Sequence, residues 1–584
     1  MTHRTVTRLL VTFLGLVMAA PASAASPMAV ESNQFMVVSA QHLAAEAGAE
    51  MLRAGGNAID AAVAVGYAEA VTNPCCGNIG GGGFLVARLT GGRDVFINFR
   101  EMAPAAARPG MYLTPEGTAV PGASLRGWRA AGVPGTVLGL DTALTRHGTL
   151  PREKVMAPAI RLARDGFILT RGDTDILTRF GAALARDRHA ARIFHRPDGS
   201  PLEPGDRLVQ TELAATLSAI ASAGPDGFYR GPIAAAVARD SGGALTEADF
   251  AAYRVSESPP LSCSYRGRVI LSAPPPSSGG TTLCEILGVL EGFDISAMGF
   301  NASRTVHVMT EAMRQAYADR NRFLGDPDFV TNPLERLLSR DYTDGIRARI
   351  TNQAIPSVQV TGGMGNGERP QTAHYSVIDK AGNAAAVTYT INGAFGAGVM
   401  AEGTGFLLNN EMDDFTIRPG VPNAFGLVQG TANAIAPGKR PLSSMAPTIV
   451  LRDGQVSMVL GSPGGSRIIS IVAQIILNMI DHAMMPGEAV NAPRVHHQWL
   501  PDTIYAERFA LSADTKAALE TAGHTVAEQI SWGSAALIAV GPARAAQAMS
   551  GTPAADSAAS GRMRPGVYYG ANDPRRPAGA AIGE

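Results

Sequence analysis

The sequence predicts a layered α+β sandwich, and three observations carry that expectation. Ala-rich stretches of helical period open the chain, a block of strand pairs with Gly-containing turns lies beyond a Gly-rich segment at 361–370, and helical patterns return after it. Hydrophobic residues make up 46% and charged residues 17%. That is below the ~25% charge of an average globular domain. With 66 glycines, it argues against a coiled coil or a charged disordered chain. The length, 584 residues, suffices for a large core. Lys+Arg 49 against Asp+Glu 50 leaves a net charge of −1, without the basic excess or stripe of a nucleic-acid binder.

In chain order, Arg4 and Arg8 precede an apolar run, Leu9 to Ala20, broken only by Thr12, and Pro21-Ala22-Ser23-Ala24 then offers a small-residue cleavage site. Residues 1–24 are therefore expected to be a signal peptide, and the mature protein to be periplasmic or secreted. Twelve apolar residues are short for a membrane span, and the mature chain shows no other candidate; Ile468 to Ile480, with Gln474 and Asn478, reads as a buried helix. Residues 41–54 and 57–71 read as two helices divided by Gly55-Gly56, the second capped by Asn57. Strands are expected at Leu85–Leu89 and Val95–Phe99. Residues 135–350 read as mostly helical, interrupted by a rigid turn, Pro274 to Gly280. The polar, Gly-rich segment 361–370 reads as an exposed, cleavable linker. Hairpins are expected at His374–Asp379 with Ala384–Thr390, and at Thr448–Arg452 with Gln455–Leu460. Residues 541–562, rich in Ala, Ser and Gly, read as a loop. Of the four cysteines, adjacent Cys75 and Cys76 are unsuited to a mutual bridge and Cys263–Cys284 is a possible one; free buried thiols are the expectation. No Cys or His cluster has the spacing of a local zinc motif, and His496-His497 reads as structural. Neither metal nor cofactor is expected.

Several segments have residue types suited to chemistry. A three-residue turn Lys380-Ala381-Gly382 centres the first hairpin on Ala381 and sets Thr372 opposite Thr390, each nine residues away. Opposed residues have Cβ atoms ~4.5–5.5 Å apart. A turn one residue longer pairs Thr372 with Ile391 instead, and the Thr pair also reads as ordinary cross-strand packing. Gly464-Gly465, between a strand and a helix, reads as an oxyanion hole, a phosphate cradle or a tight turn. The acids after Asn409-Asn410 read as an ammonium site or a solvated turn. Arg100 reads as a carboxylate clamp or a surface ion pair, and Ser443-Ser444 as an anion contact or a polar loop.

Taken together, these segments resemble the γ-glutamyltransferase (γ-glutamyltranspeptidase) family. The resemblance rests on Gly55 to Ala62, the glycines of 80–84, Phe99 to Pro104, Pro274 to Gly280, Thr372 to Val377, Asn409 to Phe415, Arg440 to Met445, Gly461 to Arg467 and Asp573 to Arg576. It implies a four-layer αββα sandwich of the N-terminal-nucleophile hydrolase type. It also implies self-cleavage at Gln371–Thr372 into a large chain, 25–371, and a small chain, 372–584, which stay paired. Thr372 would then be the nucleophile and Thr390 its hydrogen-bonded partner. Gly464 and Gly465 would stabilise the oxyanion. Arg100, Ser443 and Ser444 would hold the donor's α-carboxylate, and Asn392, Glu411 and Asp414 its α-amino group. The implied donors are glutathione and other γ-glutamyl compounds, and the acceptors are water, amino acids or dipeptides. Pro419 to Gly430 resembles the family's lid loop, with Phe425 where some members carry Tyr. An acylase for glutaryl-type β-lactam side chains is the alternative within the family. An exported anion-binding protein that never cuts itself is the alternative outside it.

Overall fold

The computed structural model describes residues 26–360, 372–542 and 562–584. Two seven-stranded antiparallel sheets stack face to face, each covered on its outer side by helices. Sheet I has the spatial order Val30–Ser32, Tyr568–Asn572, Ala536–Val540, Gln455–Gly461, Thr448–Arg452, Arg268–Ser272 and Leu261–Tyr265. Sheet II runs Ala580–Gly583, Met36–Ser39, Ala373–Ile378, Ala384–Thr390, Gly82–Leu89, Arg93–Phe99 and Ser256–Ser258. Helices His42–Arg53 and Ala58–Thr72 pack on sheet II, while Gly279–Leu290 and Ile468–Ile480 pack on sheet I. This is the αββα sandwich that the resemblance implied.

The local reasons match the sequence. Asn57 caps Ala58–Thr72 with a full capping box, its side chain accepting from the backbone N–H of Ile59 and Asp60. All thirteen residues of Ile468–Ile480 are buried. Its polar members are satisfied: Gln474 Nε2 donates to the carbonyls of Ser470 and Val495, and Asn478 Nδ2 to that of Ala489. Strands Ala373–Ile378 and Ala384–Thr390 are buried at every residue, as central strands covered on both faces must be. Each sheet contains strands from both sides of position 371. The hairpin 373–390 lies between Met36–Ser39 and Gly82–Leu89, so neither part could keep its core without the other.

Three readings need correction or limits. The stretch 135–350 holds a hairpin, Leu261–Tyr265 with Arg268–Ser272, which forms one edge of sheet I. Its signal was the two-residue turn Arg266-Gly267, where both residues have positive φ, 49° and 72°. The cysteines are not free thiols: Cys75 is bridged to Cys76, and Cys263 to Cys284. Helix Gly279–Leu290 packs on the hairpin that carries Cys263, bringing the Cα atoms of that pair to 6.0 Å, within bridging range. Cys75 and Cys76 share the turn that follows helix Ala58–Thr72. The leader 1–24, the linker 361–370 and most of the 541–562 loop lie outside the described residues.

His496 and His497 are structural, as expected. His496 shares hydrogen bonds with Ser470 and Gln498, and His497 with Asp502. Burial lowers the pKa of His497 to about 4, and that of His374 to about 3. Both stay neutral in the fold but bind a proton near pH 6.5 when unfolded. The unfolded chain therefore binds more protons below that pH, and stability falls as pH drops from 6.5 towards 4. A melting temperature that stays flat across this window would contradict the assignment.

Candidate active site

The hairpin register is the one centred on Ala381. Ala373 pairs with Tyr389 and Ile378 with Ala384, and Gly382 takes φ 84° at the turn. Thr372 and Thr390 therefore face each other, with Oγ atoms 3.4 Å apart. That is longer than the ~2.5–3.0 Å of a good hydroxyl bond. Thr390 Oγ also accepts the N–H of Asn392 at 2.7 Å, which ties it to the loop beyond the strand. Asn392 has φ 72°, a left-handed conformation that Asn tolerates, and its Nδ2 donates to the carbonyl of Asn410.

Glycines 80–83 permit the close approach of this hairpin to its neighbours. A Cβ on Gly81 would lie 1.8 Å from the Thr390 carbonyl oxygen, and one on Gly80 would lie 2.0 Å from that of Leu407. Any side chain there would push the strands apart. The prolyl turn 274–280 is a buttress: Ser277 and Ser278 donate to the carbonyls of Met445 and Ser443, each at 2.6 Å, and hold the 443–445 segment in place.

Nine of the ten residues singled out from the sequence line one small buried pocket: Arg100, Thr372, Thr390, Asn392, Glu411, Asp414, Ser443, Ser444 and Gly465. The tenth, Gly464, lines a neighbouring cavity of about 1130 Å³ that also reaches Thr372. Thr372 thus stands at the boundary between a charged pocket and a wide, open groove. Gly464 and Gly465 have φ 146° and 55°, conformations that favour glycine, and open the helical turn leading into Ile468–Ile480. Phe425 closes one side of the small pocket. Its loop is tied down where the Ala424 N–H donates to Asp413 and Gln498 Nε2 donates to the Phe425 carbonyl.

The pocket's electrostatics centre on Arg100, which is fully buried. Its guanidinium pairs with Glu411, with Asp414 at 2.5 Å and with Glu101 at 3.4 Å. Burial opposes its charge, but the three acids outweigh burial and hold its pKa above the usual value. Burial raises Glu101 to about 7 and Glu411 well above the carboxylate range, although Arg100 works in the opposite direction on both. Asp414 is raised by burial as well, and Arg320 joins Arg100 in opposing that, while Arg440 favours the charged form of Glu101. His374 lies two residues from the nucleophile candidate but is not a free base. Thr388 occupies its Nδ1 and Ser376 its Nε2.

A profile of the gamma-glutamyltranspeptidase family matches residues 44–582. The chain belongs to the gamma-glutamyltranspeptidase family and is an enzyme of it. It is 50% identical to the glutathione hydrolase proenzyme of Pseudomonas sp. (strain A14) over 564 residues, 96% of either chain. It is 47% identical to the glutathione hydrolase proenzyme of Escherichia coli (strain K12), over 94% of this chain and 91% of that one. Among solved structures, the cephalosporin acylase of Bacillus halodurans superposes with a TM-score of 0.80 at 27% identity, covering 97% of this chain and 99% of that one. Among the described residues, no helix is long and apolar enough to cross a membrane.

In this family member the sequence reading missed Arg320, Glu101 and Arg440. Arg320 is 1% exposed, yet its hydrogen-bond partners are all neutral: Ser278, Asn321, Gln429 and Ser444. Burial lowers its pKa to about 10, although Asp414 favours its charge. Its Nη2 donates to Ser444 Oγ, so the serine proton points elsewhere. Arg440 donates to the Arg100 carbonyl at 2.5 Å and fixes the backbone beneath the clamp. Nothing local marks Arg320, which lies in an Arg-rich helix; only the tertiary packing brings it behind Ser444.

Proposed function

We propose that the chain is an exported γ-glutamyl amide hydrolase and transferase that matures by cutting Gln371–Thr372. The observation that carries the proposal is the pairing of Thr372 with Thr390 at the mouth of a pocket holding one arginine among acids, beside two serine hydroxyls. A zwitterionic amino-acid head fits that charge set. Its carboxylate inserts at Arg100 with Ser443 and Ser444, and its ammonium takes over Glu411 and Asp414 with Asn392. Each ion pair broken on entry is replaced by another. Glutathione and related γ-glutamyl compounds carry such a head.

In this mechanism cleavage frees the α-amine of Thr372, which has a reference pKa of ~7.7–8.0. Thr372 Oγ attacks the γ-carbonyl carbon, and its proton passes to that amine, directly or through water. The N–H groups of Gly464 and Gly465 donate to the oxyanion. Collapse breaks the C–N bond, and the proton goes to the leaving amine, which departs through the wide groove. Water or an acceptor amine then attacks the ester and restores the hydroxyl. The interleaved sheets support two chains that remain together after the cut. Retention of both Glu411 and Asp414 favours α-amino donors over glutaryl β-lactams, and membership of an enzyme family leaves the non-enzymatic alternative unsupported.

Release of anilide from a γ-glutamyl anilide, measured with and without a dipeptide acceptor and compared with hydrolysis of a glutaryl β-lactam, tests the reading. Faster turnover of the glutaryl substrate would overturn it in favour of the acylase.

Two variants test the supporting residues. Thr390→Val keeps the strand's shape but loses the contact to Thr372 and leaves the Asn392 N–H unsatisfied, which costs ~1–3 kcal/mol. It is expected to fold, to process slowly and to lose much of kcat, whereas Thr390→Ser retains most activity. A valine variant equal to wild type in cleavage half-time and turnover reduces the pair to packing. Arg320→Lys keeps the charge but cannot serve four partners at once. With one charged hydrogen bond worth ~1.5–3 kcal/mol, KM for the donor should rise roughly tenfold or more with little change in kcat. An unchanged KM removes Arg320 from the carboxylate site.

A further inference from the structure

Away from the pocket, the fold gathers two histidines and a glutamate that no sequence spacing connects. His307 and Glu311 lie one turn apart on the helix Ser303–Phe323. His524 follows the helix Ala513–Thr521, in a turn closed by its own N–H to the Leu519 carbonyl. All three are buried, with exposures of 7%, 3% and 6%. One ligand atom from each lies within 4.8 Å of the other two. We infer that His307, Glu311 and His524 form a binding site for a first-row divalent cation of the Zn²⁺ type.

The hydrogen bonding is suited to it. The Thr351 carbonyl can only accept, so His307 Nε2 carries the proton and donates to it at 2.8 Å, leaving a lone pair on Nδ1. A carbonyl behind the distal nitrogen is the usual support of a metal-ligating histidine. His524 Nε2 meets His307 Nδ1 at 2.7 Å, so it donates in the metal-free state. Its other nitrogen, Nδ1, is buried without a partner, so the bond to His307 alone sets its tautomer. Moving that proton from Nε2 to Nδ1 exposes a second lone pair. An ion between two nitrogens at ~2.0–2.1 Å in tetrahedral geometry needs them ~3.3 Å apart, a small opening of the present contact.

Glu311 supplies the anionic ligand. It also lines a cavity of about 430 Å³, so the glutamate end of the cluster borders open space. The opposing charge is Arg314, whose two contacts to Glu311 are long, 3.3 Å each. Arg314 is held instead by Ser357 and by Asp502, whose carboxylate balances it. A set of two imidazoles, one carboxylate and open positions suits zinc rather than calcium or magnesium, which prefer oxygen ligands. His307 and Glu311 precede the proposed cut and His524 follows it, so in the processed enzyme the ion would bridge the two chains. The binding itself does not depend on the cut.

The test uses the purified full protein, stripped with a chelator and titrated with ZnCl₂ against a competing chromophoric chelator. One equivalent should bind, with a rise in melting temperature as zinc exceeds the dissociation constant. His307→Gln and His524→Gln keep hydrogen-bonding capacity and bulk, and each should lower affinity roughly a hundredfold, as loss of one of three ligands implies. Glu311→Gln gives a third variant should either histidine variant fail to fold. His482→Ala, outside the cluster, should bind as wild type. Absence of stoichiometric binding, several weak equivalents, or unaltered affinity in the variants that fold overturns the site. None of these outcomes depends on γ-glutamyl activity, so they separate this site from the proposed reaction.

Discussion

Thr372→Ala is expected to remain a single uncut chain with no measurable turnover. Wild type should give two bands on a denaturing gel, the small chain starting at Thr372 and the large one at Ala25. In the proposed mechanism one hydroxyl serves twice: it attacks its own peptide bond first and the donor's carbonyl afterwards. The wild-type hydroxyl faces Thr390 at 3.4 Å, at the edge of the pocket and next to Gly464, so both reactions share one set of partners. Adding the mature chains as separate polypeptides, with alanine at the head of the small one, should restore the fold but not turnover. A small chain that begins elsewhere, or normal cleavage of the alanine variant, would remove Thr372 as nucleophile.

Arg100→Ala is expected to lower kcat/KM by a hundredfold or more. The sequence suggests a clamp for one carboxylate, worth ~1.5–3 kcal/mol in charged hydrogen bonds. The structure raises the expected cost, because Arg100 also pairs with Glu101, Glu411 and Asp414. Removing one partner from a buried ionic cluster costs ~3–5 kcal/mol. The carboxylates can take up protons to offset part of that, so the variant should fold with a lower melting temperature, less depressed at acid pH. Arg100→Lys should recover only part of the activity, since a single ammonium cannot reach Glu411, Asp414 and the donor with the geometry of a planar fork. Processed Arg100→Ala enzyme with wild-type kcat/KM would refute the clamp.

Much of the site was legible in the sequence because its residues lie next to local punctuation. Gly382 suggested a three-residue turn, and counting nine residues each way from Ala381 set Thr372 opposite Thr390, but the pairing with Ile391 stayed open until the structure gave the register. Gly464 and Gly465 announced a strand-to-helix turn with backbone that only glycine adopts easily. The assignment of roles to Arg100, Asn392, Glu411, Asp414, Ser443 and Ser444 came from resemblance, since spacing left each open between a ligand contact and a plain surface group. The two disulfides were missed for different reasons. Cys263 sits on a hairpin that the helical pattern concealed, facing Cys284 on the helix Gly279–Leu290, and Cys75 and Cys76 were judged by the rarity of bridged neighbours.

By itself the sequence determined the period of each element, its caps and its turns, because these depend on side chains within a few residues of one another. The capped helix at Asn57 and the buried helix Ile468–Ile480 are of that kind, and so is the existence, though not the register, of the hairpin 373–390. Only the tertiary structure decided which distant groups share one low-dielectric space. Arg100 meets Glu411 and Asp414 across more than three hundred residues, Arg320 reaches Ser444 across 124, and His307 meets His524 across 217. Stacking the two sheets and their helix layers makes these contacts. Burial there makes a charge or lone pair depend on its neighbours in space rather than in sequence.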